Sequence, residues 1–228
     1  MPSRTVHHTD GVAWLANAEL DARHAIVTSL PDHGELPRVR GESTDAHVAR
    51  WRTWFIDTVA LACRAIANDA VAVFYQTDVK HDGRWIDKGH LVHTGIDAAG
   101  SALLWHKIVC RVPAGTVTRG RPSYAHILAA SRSRTLSPGA ATADVLPTLG
   151  AMTWSRAMGA DACAMIAAFV VSIGATCIVD PFCGVGTMLA AANAHGLDAI
   201  GVELSRRRAD RARTLEPSWR PPRPSRDA

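Results

Sequence analysis

Paired cysteines, metal-ligand spacings and an N-terminal apolar run are all missing from this sequence of 228 residues, and each absence removes a class of protein. The five cysteines (Cys63, Cys110, Cys163, Cys177, Cys183) are odd in number and form no CxxC pair. That argues against a disulfide framework or a zinc cluster and suits reduced thiols in the cytosol. Eleven histidines occur without an HxH or HExxH pattern, so no metal site is expected. The opening MPSRTVHHTD has no apolar core of the kind a secretory signal carries, and a cytoplasmic location is the expectation. Residues 160–179 form the most apolar stretch, long enough to span a bilayer. They contain Asp161 and Gly174 and run straight into VDPFCG, so they read as a buried helix followed by a buried strand, with no membrane association. No internal repeat is present.

What is there is the composition of a globular fold, 47% hydrophobic and 20% charged. The length suits one sizeable domain over residues 1–214, followed by a Pro/Arg-rich tail, 215–228, that has no apolar period and reads as disordered. Net charge is only +4, but it is unevenly spread. Between Arg206 and Arg226 eight arginines face Asp210 and Glu216, which makes that segment +6 and the remainder −2. A basic end beside a near-neutral body permits a polyanionic partner.

Strand and helix patterns alternate, which predicts helices packed on a mainly parallel sheet. Strands are expected at 4–8, 25–28, 71–75, 102–111, 124–131, 176–179 and 199–202, seven in all. The spacing predicts a helix over 12–20, a second from the caps at 43–45 through Ala62, and others over 88–99, 157–173, 186–195 and 205–213. The second begins at the capping residues Ser43-Thr44-Asp45, and Trp51, Trp54, Phe55, Val59 and Ala62 mark its core face rather than a stacking platform. Residues 77–83 and 137–148 read as loops, and 102–111 with 124–131 as an antiparallel pair.

The most informative segment is IVDPFCGVGTMLAAANAHGLDAIGVELS, residues 178–205. A buried strand enters a glycine turn, a small-residue helix follows, and a second strand ends at Glu203, 19 residues beyond Gly184. Glycines at such a turn let the backbone approach a ligand closely. Amide groups at the helix start can hold polar or anionic atoms. An acid at the tip of the neighbouring strand can accept both ribose hydroxyls of a nucleoside cofactor. The absent third glycine and the DPF lead speak against a dinucleotide pyrophosphate site.

DPFCGVGT followed by AIGVEL resembles the S-adenosylmethionine-binding motif of class I methyltransferases, in the DPF-G-GT form of the amino-methyltransferases that modify nucleic-acid bases. The resemblance implies that Asp180, Pro181, Phe182, Gly184, Gly186 and Thr187 line the cofactor and that Glu203 takes its hydroxyls. In an ordinary member this loop lies near the N-terminus; here it lies about 45 residues from the end, so the remaining strands must lie upstream. HHTDGVAWLANAELDARHAIVTSLPD resembles the corresponding N-terminal segment of permuted base methyltransferases, which puts Asp10 near the cofactor adenine. LLWHK and YAHILAASRS resemble that family's later strands, and the likeness covers residues 6–213. The implied architecture is α/β: a Rossmann-like class I methyltransferase fold, circularly permuted, with a seven-stranded mixed sheet and helices on both faces.

Methyl transfer from a sulfonium is an in-line displacement, so the protein chiefly aligns acceptor, methyl and sulfur. In the family a [DNS]-P-P-[YFW] tetrapeptide bonds the acceptor amine and stacks the flipped base. Ser29-Leu30-Pro31-Asp32 occupies that position, which makes Ser29, Pro31 and Asp32 the catalytic candidates. Leu30 replaces a proline, and Asp32 stands where the aromatic should be. Asp32 can act as a base or hydrogen-bond acceptor, or be a turn or cap residue. His33 and Glu35 read as surface. Only about 20 residues, 134–153, fill the interval where DNA-reading members carry a target-recognition region. That favours a structured RNA, or help from a partner subunit or homodimer, over stand-alone reading of a DNA site.

Asp78, Lys80, Arg84 and Lys88 can form a substrate-binding lip or belong to a solvated loop, and Lys107 can hold a phosphate or cap the sheet. Three functions remain open: a methyltransferase acting on a nucleic-acid base nitrogen, a small-molecule methyltransferase on the same fold, or a catalytically inactive S-adenosylmethionine-binding partner subunit.

Overall fold

Parallel strands covered on both faces cannot alternate polar and apolar residues, and AIVT, VAVFY and CIVD do not. The computed structural model describes residues 1–154 and 157–216. In chain order its elements are β1 (Arg4–His8), α1 (Gly11–Leu15), β2 (His24–Thr28), α2 (Thr44–Ala65), β3 (Ala72–Gln76), β4 (Val79–His81) and β5 (Arg84–Ile86). They continue with α3 (Lys88–Ala98), β6 (Ala102–Cys110), β7 (Tyr124–Ser131), β8 (Val145–Leu146), α4 (Ala160–Ser172), β9 (Cys177–Asp180), α5 (Thr187–Ala194), β10 (Asp198–Glu203) and α6 (Arg206–Thr214).

The main sheet has the order β1-β10-β9-β2-β3-β7-β6-β8. The first five strands run parallel, and β7 is antiparallel to both of its neighbours. Successive residues of each strand feed opposite layers. Val73 and Tyr75 of β3, with Ala25, Val27 and Ile178, pack toward α4, α5 and α6. Phe74, Ile26 and Val179 pack toward α1, α2 and α3 on the other face. The architecture expected from the sequence, a mixed α/β sheet with helices on both faces, is the one observed.

Two details differ from the expectation of seven strands. The two-residue β8 pairs with β6 and brings the main sheet to eight strands among the described residues. Residues 77–83 do not form a plain loop, because β4 and β5 make a separate hairpin whose His81↔Arg84 pair closes over Asp82-Gly83. Both turn residues have positive φ (47° and 74°). An Asp-Gly pair suits such a two-residue turn, because its backbone twist matches that of the flanking strands. The first helix stops at Leu15 rather than running to residue 20. The C-terminal tail expected from the sequence lies, from residue 217 onward, outside the described residues.

The connections position the site. From β9 the chain passes through α5 to β10, on one side; from β2 it passes through α2 to β3, on the other. β9 and β2 are adjacent, so the connections diverge from the crevice between their C-terminal ends, the place where open α/β sheets take ligands.

Candidate active site

A cavity of about 410 Å3 opens at this crevice. Its wall draws on the C-terminal ends of five parallel strands: Asp10 after β1, Ser29 to Asp32 after β2, Tyr75 and Thr77 at the end of β3, Asp180 to Gly184 after β9, and Glu203 of β10.

Asp180 stitches the crevice together. Its Oδ1 accepts hydrogen bonds from Thr28 Oγ1 (2.7 Å) on β2 and from Phe182 N (3.1 Å) in its own loop. Burial raises its pKa to about 7, against the lowering effect of those two donors. Phe182 meets Trp54 of α2 edge to face, with ring centroids 5.9 Å apart. Trp54 therefore lines the cavity, while Trp51 is wholly buried in the core. Thr187 opens α5 with its hydroxyl 2.6 Å from Thr153 Oγ1.

The two loop glycines do different work. Gly184 has φ +55° and lines the cavity, where an added Cβ would meet only Trp154 at 3.7 Å. Gly186 is not in the cavity wall. It has φ +86°, and a Cβ there would come within 2.9 Å of Ala212, so its bareness seats α6 against the start of α5. Gly11 is a third close approach: a Cβ would lie 2.2 Å from Pro181 O. In the sequence Gly11 reads merely as part of a turn, since nothing local marks the contact with a loop 170 residues away.

Glu203 is buried and lines the cavity. Ser205 N (2.7 Å) and Arg208 Nε (3.0 Å) both bond its Oε1, leaving Oε2 without a partner among the described residues. Asp10 caps α1, its Oδ1 accepting from Ala13 N at 2.8 Å.

On the opposite side, Leu30 is buried, and Pro31 O accepts a hydrogen bond from the indole of Trp51 at 3.0 Å. This ties the turn after β2 to α2. Ser29 Oγ has no hydrogen-bond partner among the described residues, and the residue lines the cavity. Asp32 is neither a solvated turn residue nor an open base. Lys88 Nζ lies 2.7 Å from its Oδ1 and Arg121 3.2 Å from its Oδ2. Lys88 is almost wholly buried, and its ammonium also lies 5.4 Å from the centre of the Phe55 ring. Burial lowers the Lys88 pKa while Asp32 opposes that shift. Arg121, carried on the β6–β7 connection, was not singled out in the sequence, since only tertiary structure brings it to a residue 89 positions away.

The remaining candidates separate. Asp78 is buried behind the wall, accepting from Lys88 N at 2.8 Å and bonding His126 at 3.1 Å, so it fixes the start of α3 rather than lining the cavity. Lys80 lies outside the cavity, in a neighbouring hollow. Lys107 points away to the β8 edge, donating to Thr142 O, Ala143 O and Asp144 Oδ1; it secures that edge rather than facing a ligand in the cavity. Arg50, Arg111, Trp154 and Arg208 line the cavity without having been expected there.

No family model matches the chain, and no curated protein matches it. Solved structures do. TTHA0409, a putative DNA modification methylase from Thermus thermophilus solved with S-adenosyl-L-methionine, is 18% identical over 92% of each chain, with a TM-score of 0.66. The M1.HpyAVI–SAM complex is 12% identical over 92% of this chain and 96% of that one, with a TM-score of 0.58. The PvuII DNA methyltransferase, described as cytosine-N4-specific, is 11% identical over 96% and 89%, with a TM-score of 0.67. This chain has the fold of those class I methyltransferases.

Proposed function

We propose that the protein is an S-adenosylmethionine-dependent methyltransferase acting on a nucleic-acid base, built on a circularly permuted version of the class I fold. The observation that carries the reading is the single cavity lined both by the glycine loop with Glu203 and by the turn from Ser29 to Asp32. A cofactor half and an acceptor half thus share one wall.

The residues present suit the cofactor. The Oε2 atom of Glu203 can accept from ribose hydroxyls, the exposed flank of Gly184 leaves room for close backbone approach, and Asp180 can pair with a cationic group. Asp10 lines the same cavity and would lie toward the adenine of the cofactor. Once bound, S-adenosylmethionine would supply a methyl group on a sulfonium, and the chain's own task would be alignment. Ser29 would accept a hydrogen bond from the acceptor nitrogen. Trp51 holds that turn in place through Pro31 O, and the Lys88–Asp32–Arg121 cluster anchors its far end.

TTHA0409 is described as a putative DNA modification methylase and PvuII as a DNA methyltransferase, which favours DNA over the RNA suggested by the short 134–153 interval. A polar small-molecule acceptor is the second reading, favoured by the ion-pair cluster where the family has an aromatic ring.

The deciding experiment incubates the protein with labelled S-adenosylmethionine and separate pools of DNA, RNA and metabolites. Label in the DNA pool, reduced by Ser29→Ala, is the expected outcome. Label confined to metabolites would replace the nucleic-acid reading, and no label in any pool would leave only the inactive-subunit function.

A further inference from the structure

The space available to a substrate does not end at Asp32. Beyond it lies a second, more open hollow of about 300 Å3, lined by Asp32, His33, Glu35, Lys80, Gly120 and Arg121 among others. Asp32, Glu35 and Arg121 border both spaces, so the hollow continues the cavity outward.

The β4–β5 hairpin flanks it. Directly paired residues of a hairpin project to the same side. The Val79↔Ile86 pair is buried, and the intervening Lys80↔Trp85 pair is exposed. Trp85 is 47% exposed, an unusual state for so large a ring, and Lys80 Nζ lies 4.5 Å from its centre. Lys80 also donates to Arg119 O at 3.3 Å, which joins the hairpin to the β6–β7 connection. Residues 79–86 and 111–123 together carry Lys80, Arg84, Arg111, Arg119 and Arg121 against Asp82, whereas the inner wall of the hollow adds the carboxylates of Asp32 and Glu35. The cofactor half of the cavity uses neither Lys80 nor Trp85 nor Arg119. An exposed aromatic ring set among cations matches a polymer that offers both stackable rings and phosphates. An acidic peptide would answer the charge but not the ring.

We propose that this hollow is a groove for a single nucleic-acid strand flanking the acceptor nucleotide. Trp85 stacks an unpaired neighbouring base, and Lys80, Arg119 and Arg121 hold the adjoining phosphates. A base inside a duplex already has its faces covered, so the groove selects an unpaired strand. The inference rests on the nucleic-acid reading above and assigns to it the residues that grip the substrate outside the reaction centre.

The test uses the full chain and fluorescence anisotropy with an end-labelled single strand of about 12 nucleotides, a length within the usual site sizes for single-strand binders. DNA, RNA and a DNA duplex of the same sequence are the ligands; wild type, Trp85→Ala and the double variant Lys80→Glu/Arg119→Glu are the proteins. The single strands should bind better than the duplex. Trp85→Ala should weaken strand binding about tenfold. The double variant should bind more weakly and lower the log–log salt slope by about 1–2, as two lost phosphate contacts require. Calorimetric affinity for S-adenosylmethionine should stay within about twofold, because neither variant touches the cofactor half; this also controls for misfolding. Variants that bind the strand as wild type does, or a duplex bound equally well with no effect of Trp85→Ala, would overturn the groove while leaving the methyltransferase reading intact. Weakened strand binding in the variants of a protein that takes no S-adenosylmethionine would support the groove and overturn that reading.

Discussion

At the scale of single residues the site is governed by burial of charge. Asp180 has an ordinary carboxyl pKa of 3.8 raised to about 7, first by burial. A raised folded-state pKa means that the ionised form is penalised in the fold, so stability is lost as pH climbs from about 4 toward 7. Asp180→Asn keeps the Oδ1 acceptor used by Thr28 and Phe182 and removes the charge. It should therefore stabilise the free protein at pH 8 by roughly 2–4 kcal/mol, with a smaller gain at pH 5. Urea titrations at the two pH values decide; an equal gain at both would show that another group titrates. Asp32 is instead held between two cations, Lys88 and Arg121. Asp32→Ala strands the buried Lys88 ammonium and should cost roughly 3 kcal/mol, part of which Lys88→Met in the same chain should restore. Additive losses in that double variant would rule out the coupling. Loss of activity in Asp32→Ala alone therefore cannot be read as chemistry, whereas Ser29→Ala should reduce methyl transfer with unfolding and cofactor affinity unchanged.

At the scale of elements, glycines decide how closely helices approach the loop. Gly186→Ala places a Cβ 2.9 Å from Ala212 at a left-handed backbone position. It should lower stability by about 1–3 kcal/mol by displacing α6. Gly184→Ala meets no atom nearer than 3.7 Å and should cost less, although it too is strained by its positive φ. Thermal unfolding of the two variants separates a packing glycine from a cavity glycine; equal losses would contradict the division. Within α2, Trp51 packs in the core and also bonds Pro31 O, so one side chain serves both stability and the geometry of the turn. Trp51→Phe keeps most of the packing and removes the hydrogen bond, with an expected stability cost near ~1 kcal/mol. A larger effect on turnover than on cofactor affinity would show that the bond positions the turn.

At the scale of the whole molecule, the sheet order creates the crevice and the crevice collects the site. Ligands bound only by the folded state stabilise it by mass action, by about 2.7 kcal/mol at a hundredfold excess over Kd. S-adenosylmethionine at that excess should raise Tm by about 5–10 °C for a chain of this size. Glu203→Ala should remove most of that rise, because Glu203 lines the cavity and its Oε2 has no partner among the described residues; an undiminished rise would place the cofactor elsewhere. The uneven charge belongs to this scale too. Residues 206–226 carry +6, and segments 79–86 and 111–123 together carry a further +4, so a net charge of only +4 conceals these basic stretches in an otherwise acidic chain.

What the sequence determined by itself was the elements and the chemistry carried within one of them. Buried parallel strands announce themselves as unbroken apolar runs, and α2 announces its start through Ser43, whose hydroxyl accepts from Ala46 N. The order strand, glycine turn, helix, strand and acid from 178 to 205 is likewise local, which is why the cavity-lining positions of Asp180, Phe182, Gly184, Thr187 and Glu203 were legible. The hairpin turning at Asp82-Gly83 was missed, because the polar composition of 77–83 reads as a loop. Tertiary structure alone decided the rest. Gly186 and Gly184 look alike in sequence and differ because α6 folds back on one of them. Lys107 and Lys88 are both lysines beside strands, yet one serves an edge and the other is buried against Asp32. Arg121 reaches the same carboxylate across 89 residues. Side chains on separate elements meet only after the sheet order is set, and no local pattern of residues records that meeting.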